Sequence, residues 1–400
     1  MLSREKLLSL LSSLITPYHY ISYARERLIS LGFTEVPKKS GFSSNLPPGK
    51  YFHLSKSNSL FALNITDLSQ AFLFGVNPDF PCLKYKNDKS KIIWRTTQYG
   101  DDDVFSSTWI DRDLKIAGMC KIKLENKEIQ KLFISENPCA KISSNGLKVS
   151  GSNPFKVVIN ESTLSPLPNC FYRTEPNFLN KVIATELNCD IDIITSRDVF
   201  LVDSQGPKIV GVDDSLLVAE GIDNLVGSIL GFEAFLKSEP KAGLIGFLSV
   251  NKYGKDKDKT LMVKEIFECM GLNELFIKKS TLISLGCFNA YHPNYSELFK
   301  DKAIIRIGDG LIYDSNSLDV LLILKKIAND LKMKIFENEF EHKKNSLAYL
   351  FSLKLNMKTV EIGIPILAKH SIRETCDISD INKLDDFLSA LVQNVNKKLF

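Results

Sequence analysis

At 400 residues the chain is longer than one simple core organises, so two domains are the starting expectation. Apolar residues make up 44% and charged ones 24%, and 51 basic against 47 acidic residues leave a net charge of +4, too even a balance to argue for nucleic acid. No apolar run approaches the roughly 18–20 residues of a membrane span. The eight cysteines (Cys82, Cys120, Cys139, Cys170, Cys189, Cys269, Cys287, Cys376) form no C-x-x-C pair, which reads as reduced cytoplasmic thiols, not a disulfide frame or a zinc ribbon.

Met1 to Ile15 has a helical stripe (Leu7, Leu8, Leu10, Leu11, Leu14) and lacks a small-residue cleavage site, which argues against a signal peptide. Thr16-Pro17 opens a second helix that runs to Leu31, and Gly32 stops it. After the turn at Pro47-Pro48-Gly49, the alternating runs Lys50–Ser55 and Ser59–Ile65 predict strands. From about Lys86 short β-like runs (Ile92–Thr97, Leu114–Leu124, Leu132–Ser135, Leu147–Val149, Phe155–Ile159) are broken by Gly, Ser, Asn and Pro, until a helix over Asn177–Leu187 and a buried strand at Val199–Val202. Helices and strands then alternate: helix Asp223–Lys237, strand Leu244–Val250, helix Thr260–Met270, strand Ala303–Ile307, helices Leu318–Leu331 and Ser346–Leu353, strand Thr359–Ile364, helix Asp380–Asn396. The sign-alternating Lys252–Lys259 reads as a solvated loop. The pattern predicts an α/β fold with helices on both faces of the sheet, over 1–88 and 205–400, interrupted by a mostly-β unit over 89–204.

One stretch stands out for chemistry. Gly75 to Lys84 closes the apolar run Ala71–Phe74 and pins Asp79 between Pro78 and Pro81, each of which fixes φ. A rigid carboxylate at the end of a buried strand sits where open α/β sheets bind ligands. Two further groups can reach the same edge: Asp223, opening an apolar helix, and His370, just past a strand. Asp and His are ligand types for zinc or a related divalent ion. Asp223 equally suits a helix N-cap, His370 a hydrogen-bonded structural histidine, and Asp79 a turn acid.

Several motifs together resemble the aspartyl aminopeptidase family, dizinc exopeptidases that remove N-terminal acidic residues. They are T-P-Y-H (Thr16–His19), L-P-P-G-K-Y-F (Leu46–Phe52), S-T-W-I-D-R-D-L-K-I-A-G (Ser107–Gly118), L-V-D-S-Q (Leu201–Gln205), G-I-D-N-L (Gly221–Leu225), A-Y-H-P-N-Y (Ala290–Tyr295) and H-S-I-R-E-T (His370–Thr375). The likeness covers nearly the whole length. It implies an α/β peptidase domain split by a β dimerisation domain, in enzymes that assemble as tetrahedral dodecamers.

The resemblance also implies where the chemistry should lie, and there the chain departs from the pattern. The family's zinc histidine falls on Asn77, while the acid beside it stays as Asp79. The bridging aspartate falls on Asp223 and the last zinc histidine on His370. The general base and a zinc glutamate fall on Asn251 and Lys252, another zinc aspartate on Gly286, and an inner histidine on Asn289. A substrate lysine is replaced by Leu298, a glycine triplet by Asp101-Asp102-Asp103, and a histidine offered to a neighbouring subunit falls on Cys139. Of the five implied metal ligands, only Asp223 and His370 are ligand-competent. A catalytic zinc takes about three protein ligands and a structural zinc about four. Asn251 cannot take a proton from water at neutral pH. Lys252 places an ammonium where a cation would sit; two like charges ~4 Å apart repel by about 4 kcal/mol at an effective dielectric near 20, so it could replace the metal by pairing with Asp79 or Asp223.

The expectation is therefore a catalytically inactive homologue, a pseudopeptidase that needs no cofactor and acts through assembly. Its partners would be copies of itself, an active paralogue or another protein, with no nucleic acid and no membrane. One alternative is an active zinc enzyme with a site rebuilt from Cys82, Cys287, Asp213 or Asp214. The other is a peptide- or small-ligand-binding module using the old cleft of Asp79, Asp223, Lys252, Asn289, His292, Tyr295 and His370.

Overall fold

The computed structural model describes residues 2–86, 96–99, 106–125, 127–143, 167–168, 177–251, 258–340 and 346–396. Its largest sheet orders the strands Thr34–Glu35, Gly49–Leu54, Leu60–Ile65, Leu244–Ser249, Ala71–Val76, Thr281–Asn289, Lys358–Ile366, Leu311–Ser315 and Ile335–Glu337. The four strands from Leu244–Ser249 to Lys358–Ile366 run parallel to one another. Such strands are buried on both faces, and the period of two sends alternate residues to opposite sides. Phe72, Phe74, Ile245 and Phe247 enter one core, while Leu73, Leu244 and Leu248 enter the other. The helices Ile222–Leu236, Leu318–Asp330 and Ile378–Asn396 cover the first face; Leu261–Cys269 and Leu347–Leu355 cover the second.

A second sheet orders Leu167–Pro168, Ala140–Lys141, Asp113–Leu124, Ile194–Asp203, Cys82–Tyr85 and Thr96–Tyr99, with Lys127–Ile134 hairpinned onto Asp113–Leu124. The helix Phe178–Leu187 packs on that hairpin. A small third sheet joins Lys208–Val210, Leu216–Ala219 and Glu374–Asp377.

Most expected elements form. Thr16 caps the helix Pro17–Ser30 by accepting from the His19 backbone, with Pro17 in the first turn and Gly32 beyond the end at φ 79°. The expected runs Leu147–Val149 and Phe155–Ile159 lie outside the described residues. Two readings are corrected, and one strand is added. Ala303–Ile307 is not a strand: Ile304 is exposed, and Gly308 and Gly310 at positive φ turn the chain so that Leu311–Ser315 pairs with Lys358–Ile366 instead. The continuous apolar run Thr281–Asn289, unassigned from the sequence, is a central parallel strand. Asp223 does not cap its helix: Gly221 does, at φ 70°, and Asp223 is the second helical residue.

Candidate functional site

Four adjacent strand ends and one helix start converge at the carboxyl edge of the large sheet, where parallel strands about 4.8 Å apart bring their following residues together. Ala71–Val76 runs out into Asn77 and Asp79, and Leu244–Ser249 into Asn251. Thr281–Asn289 carries Gly286, and Lys358–Ile366 runs out into Lys369 and His370. The helix Ile222–Leu236 crosses these strands and presents Asp223 to them.

Asp223 is the centre of the larger cluster. Its Oδ1 accepts from Lys369 Nζ at 2.6 Å and from the Cys287 backbone N–H at 3.1 Å, and its Oδ2 lies 3.2 Å from His370 Nε2. Lys369 Nζ also donates to the Cys287 carbonyl. Both charged side chains are more than nine-tenths buried. Glu374 closes the cluster from below: Oε2 accepts from the Asp223 backbone at 2.8 Å and Oε1 from the His370 backbone at 2.6 Å.

The second cluster joins the two larger sheets. Tyr99, from the strand Thr96–Tyr99, donates to Asn251 Oδ1 at 2.9 Å and lies 3.3 Å from Asp79 Oδ2. Burial and the Asp79 charge push the Tyr99 phenol far above its ordinary range. Asn251 is fastened at both ends, since its Nδ2 donates to the Ser57 carbonyl at 3.2 Å. Asn77 Nδ2 donates to the Val250 carbonyl at 3.0 Å, and Asn224 Nδ2 to the Asp79 carbonyl at 2.8 Å.

Asp79, Asn77, Asn251, Asp223, Gly286 and His370 thus lie at one edge of the large sheet. Lys252 and Asp101–Asp103 lie outside the described residues. His292 caps the turn Pro293–Phe299, accepting from the Asn294 backbone and packing on Tyr295, which is 55% exposed. Asn289 lines a small cavity with Phe299, Ile305 and Glu337. The proposed replacement ligands do not gather. Asp213 bonds Ser215 on an exposed turn, and burial pushes the Cys82 and Cys287 thiols well up, away from the thiolate a metal needs. Among the described residues no three His, Cys, Asp or Glu side chains are placed to hold a metal ion. Asp223 and His370 face each other, but the Lys369 ammonium occupies the coordinating side of the carboxylate, so this donor set does not fit zinc.

Two acids unassigned from the sequence lie behind the cluster. Burial first, then the Asp223 charge, pushes the Glu374 carboxyl up to about 8, against the pull of its backbone donors. Burial also pushes Glu220 up to about 8, with the charges of Asp203 and Glu374 adding to it. A carboxyl that holds its proton more tightly folded than unfolded contributes stability fully present below about 4.5 and lost as pH rises through about 8. Between pH 6 and 9 the melting temperature is expected to fall, each carboxyl contributing at most ~1.4 kcal/mol per pH unit. Glu220→Gln should flatten that slope in a pH series of thermal melts; an unchanged slope would show that Glu220 does not titrate in this window.

Lys369, Glu374 and Tyr99 were the functional-edge residues that motif spacing missed. The one available signal was a charge, Lys369, directly before His370 and after an uninterrupted buried strand.

The chain matches the family described as Aminopeptidase I zinc metalloprotease (M18) over residues 10–244 and 260–391. It is 25% identical over 457 residues to the aspartyl aminopeptidase of Caenorhabditis elegans, covering 99% of this chain and 96% of that protein. Among solved structures, Ape4 in its complex with Nbr1 superposes with a TM-score of 0.84 at 20% identity, covering 98% of this chain and 86% of that one. The S. cerevisiae mApe1 dodecamer superposes with a TM-score of 0.79 at 16% identity, covering 99% and 98%.

Proposed function

The chain belongs to the M18 family of aminopeptidase I zinc metalloproteases, and we propose that it is a non-catalytic member of that family, a pseudopeptidase whose role is carried by assembly. One observation supports the reading: Asn251, onto which the resemblance places the family's general base, is a buried amide whose oxygen accepts from Tyr99 and whose nitrogen donates to Ser57. An amide held at both ends neither takes a proton from a water molecule nor releases one to a leaving amine. The amide of Asn77, tied to Val250, and the bare Gly286 supply no metal donor. Without a bound metal, nothing lowers the pKa of an attacking water.

Assembly is the activity that remains. We propose that residues 89–204, with the entering strand Cys82–Tyr85, form the self-associating unit, and that the chain forms a homo-oligomer, as mApe1 does in its solved dodecamer. A protein partner is the second part of the proposal; Ape4, similar in fold, is solved in complex with Nbr1. The seven described cysteines are unbridged thiols, which supports a cytoplasmic setting.

The test is hydrolysis of Asp- and Glu-terminated peptides by chain dialysed against trace zinc, with metal content read by plasma mass spectrometry and mass by light scattering. The expected outcome is no turnover, less than one zinc ion per chain and a defined oligomer. Turnover that a chelator abolishes would overturn the reading and favour the active zinc aminopeptidase.

A further inference from the structure

We infer that the Lys369 ammonium is the built-in cation of this site, a covalently tethered charge that holds Asp223 in the way a bound ion would. The inference rests on the non-catalytic reading above. Its ground is where the backbone places Lys369. After the buried strand Lys358–Ile366, Leu367 bridges to Thr375, and the Ser371 N–H closes a turn on the Ala368 carbonyl. The residues on either side of Lys369 both take left-handed backbone, Ala368 at φ 55° and His370 at φ 66°. Non-glycine residues adopt that conformation at a cost, and two of them around one side chain mark a geometry imposed by the surroundings. The result is a lysine pointed inward, with only 7% of its side chain exposed.

A buried ammonium persists when it is paired and hydrogen-bonded. Lys369 is both: Asp223 Oδ1 lies 2.6 Å away, and the Cys287 carbonyl accepts a second bond. The same Oδ1 takes the Cys287 N–H, so lysine, aspartate and the backbone of the central strand Thr281–Asn289 form one closed unit. The ammonium and a divalent ion would compete for one carboxylate face. Unlike a metal, the tethered charge cannot be removed by chelation, so the site keeps its shape whatever the metal supply.

The experiment is a double-mutant cycle on the full chain: Lys369→Met, Asp223→Asn and the pair, each followed by thermal melting, with zinc content of the unmutated chain measured alongside. Lys369→Met strands a buried carboxylate and is expected to lower Tm by roughly 6–10 °C. The double variant is expected to lose clearly less than the sum of the two single losses. If Lys369→Met yields no folded protein, recovery of folded protein in the double variant is the same result. Additive losses, or a double variant that stays unfolded, would overturn the inference. Tightly held zinc in the unmutated chain overturns the non-catalytic reading itself, whereas a metal-free chain with additive losses overturns only the role of Lys369.

Discussion

Gly363→Ala is expected to yield no cooperatively folded protein, a loss of more than about 5 kcal/mol. Gly363 pairs in register with Gly286 across the two parallel strands that deliver Lys369 and the Cys287 backbone to the site. A Cβ at Gly363 would collide with the Gly286 carbonyl oxygen and lie 2.6 Å from its carbon. Both are backbone atoms of a central strand, so nothing can give except the pairing itself. Gly286→Ala is the control. Among the described residues its Cβ would meet the Glu361 Oε1 atom, at 3.2 Å, and the end of a flexible side chain can move. That variant should stay within about 1 kcal/mol of the parent. Soluble yield and melting curves of the two variants side by side decide the matter; a Gly363→Ala protein that melts like the parent would show that the two strands can part locally.

Glu374→Ala is expected to cost about 3–5 kcal/mol, read as a fall in the urea midpoint at constant slope. Glu374 is 2% exposed and accepts from two backbone N–H groups, those of Asp223 and His370. Each buried donor left without its acceptor costs roughly 1–3 kcal/mol. The His370 N–H belongs to a residue already in left-handed backbone, so the strained turn loses the bond that holds it. Glu374→Gln should fall between alanine and the parent, because the amide keeps one acceptor oxygen and turns a donor toward the other N–H. Equal losses for Ala and Gln would mean that the bond kept by the amide oxygen contributes nothing.

The sheet edge was legible because its residues sit in local patterns. Asp79 is marked by its flanking prolines, Asp223 by the apolar helix it opens, and His370 by the strand before it. Asn251 could be read as unable to serve as a base, since that follows from the amide itself. Lys369 and Glu374 could not be assigned roles in the same way. The partner of Glu374, the Asp223 N–H, is 151 positions away, and that of Lys369 is 146. Lys252, which carried the expectation of a metal-replacing cation, lies outside the described residues; alignment to a motif registers which residue stands at a position but not which way a neighbour's side chain points, so it gave Lys369 no role. Tyr99 enters from the second sheet, so no reading of the large sheet alone would place it against Asp79 and Asn251.

Taken by itself, the sequence determined the fold class, the helices and most strands of the sheet, and that Asn77, Asn251 and Gly286 carry no ionisable side chain. These follow from hydrophobic period, turn residues and side-chain functional groups, all of which are local. The tertiary structure alone decided that Asp223 meets an ammonium, that Gly221 and not Asp223 caps the helix, and that Glu374 holds two backbone segments at once. The reason is that these depend on backbone direction at single residues, such as the left-handed turn at Ala368 and His370, and on pairings across more than a hundred positions. Neither leaves a periodic trace in the chain.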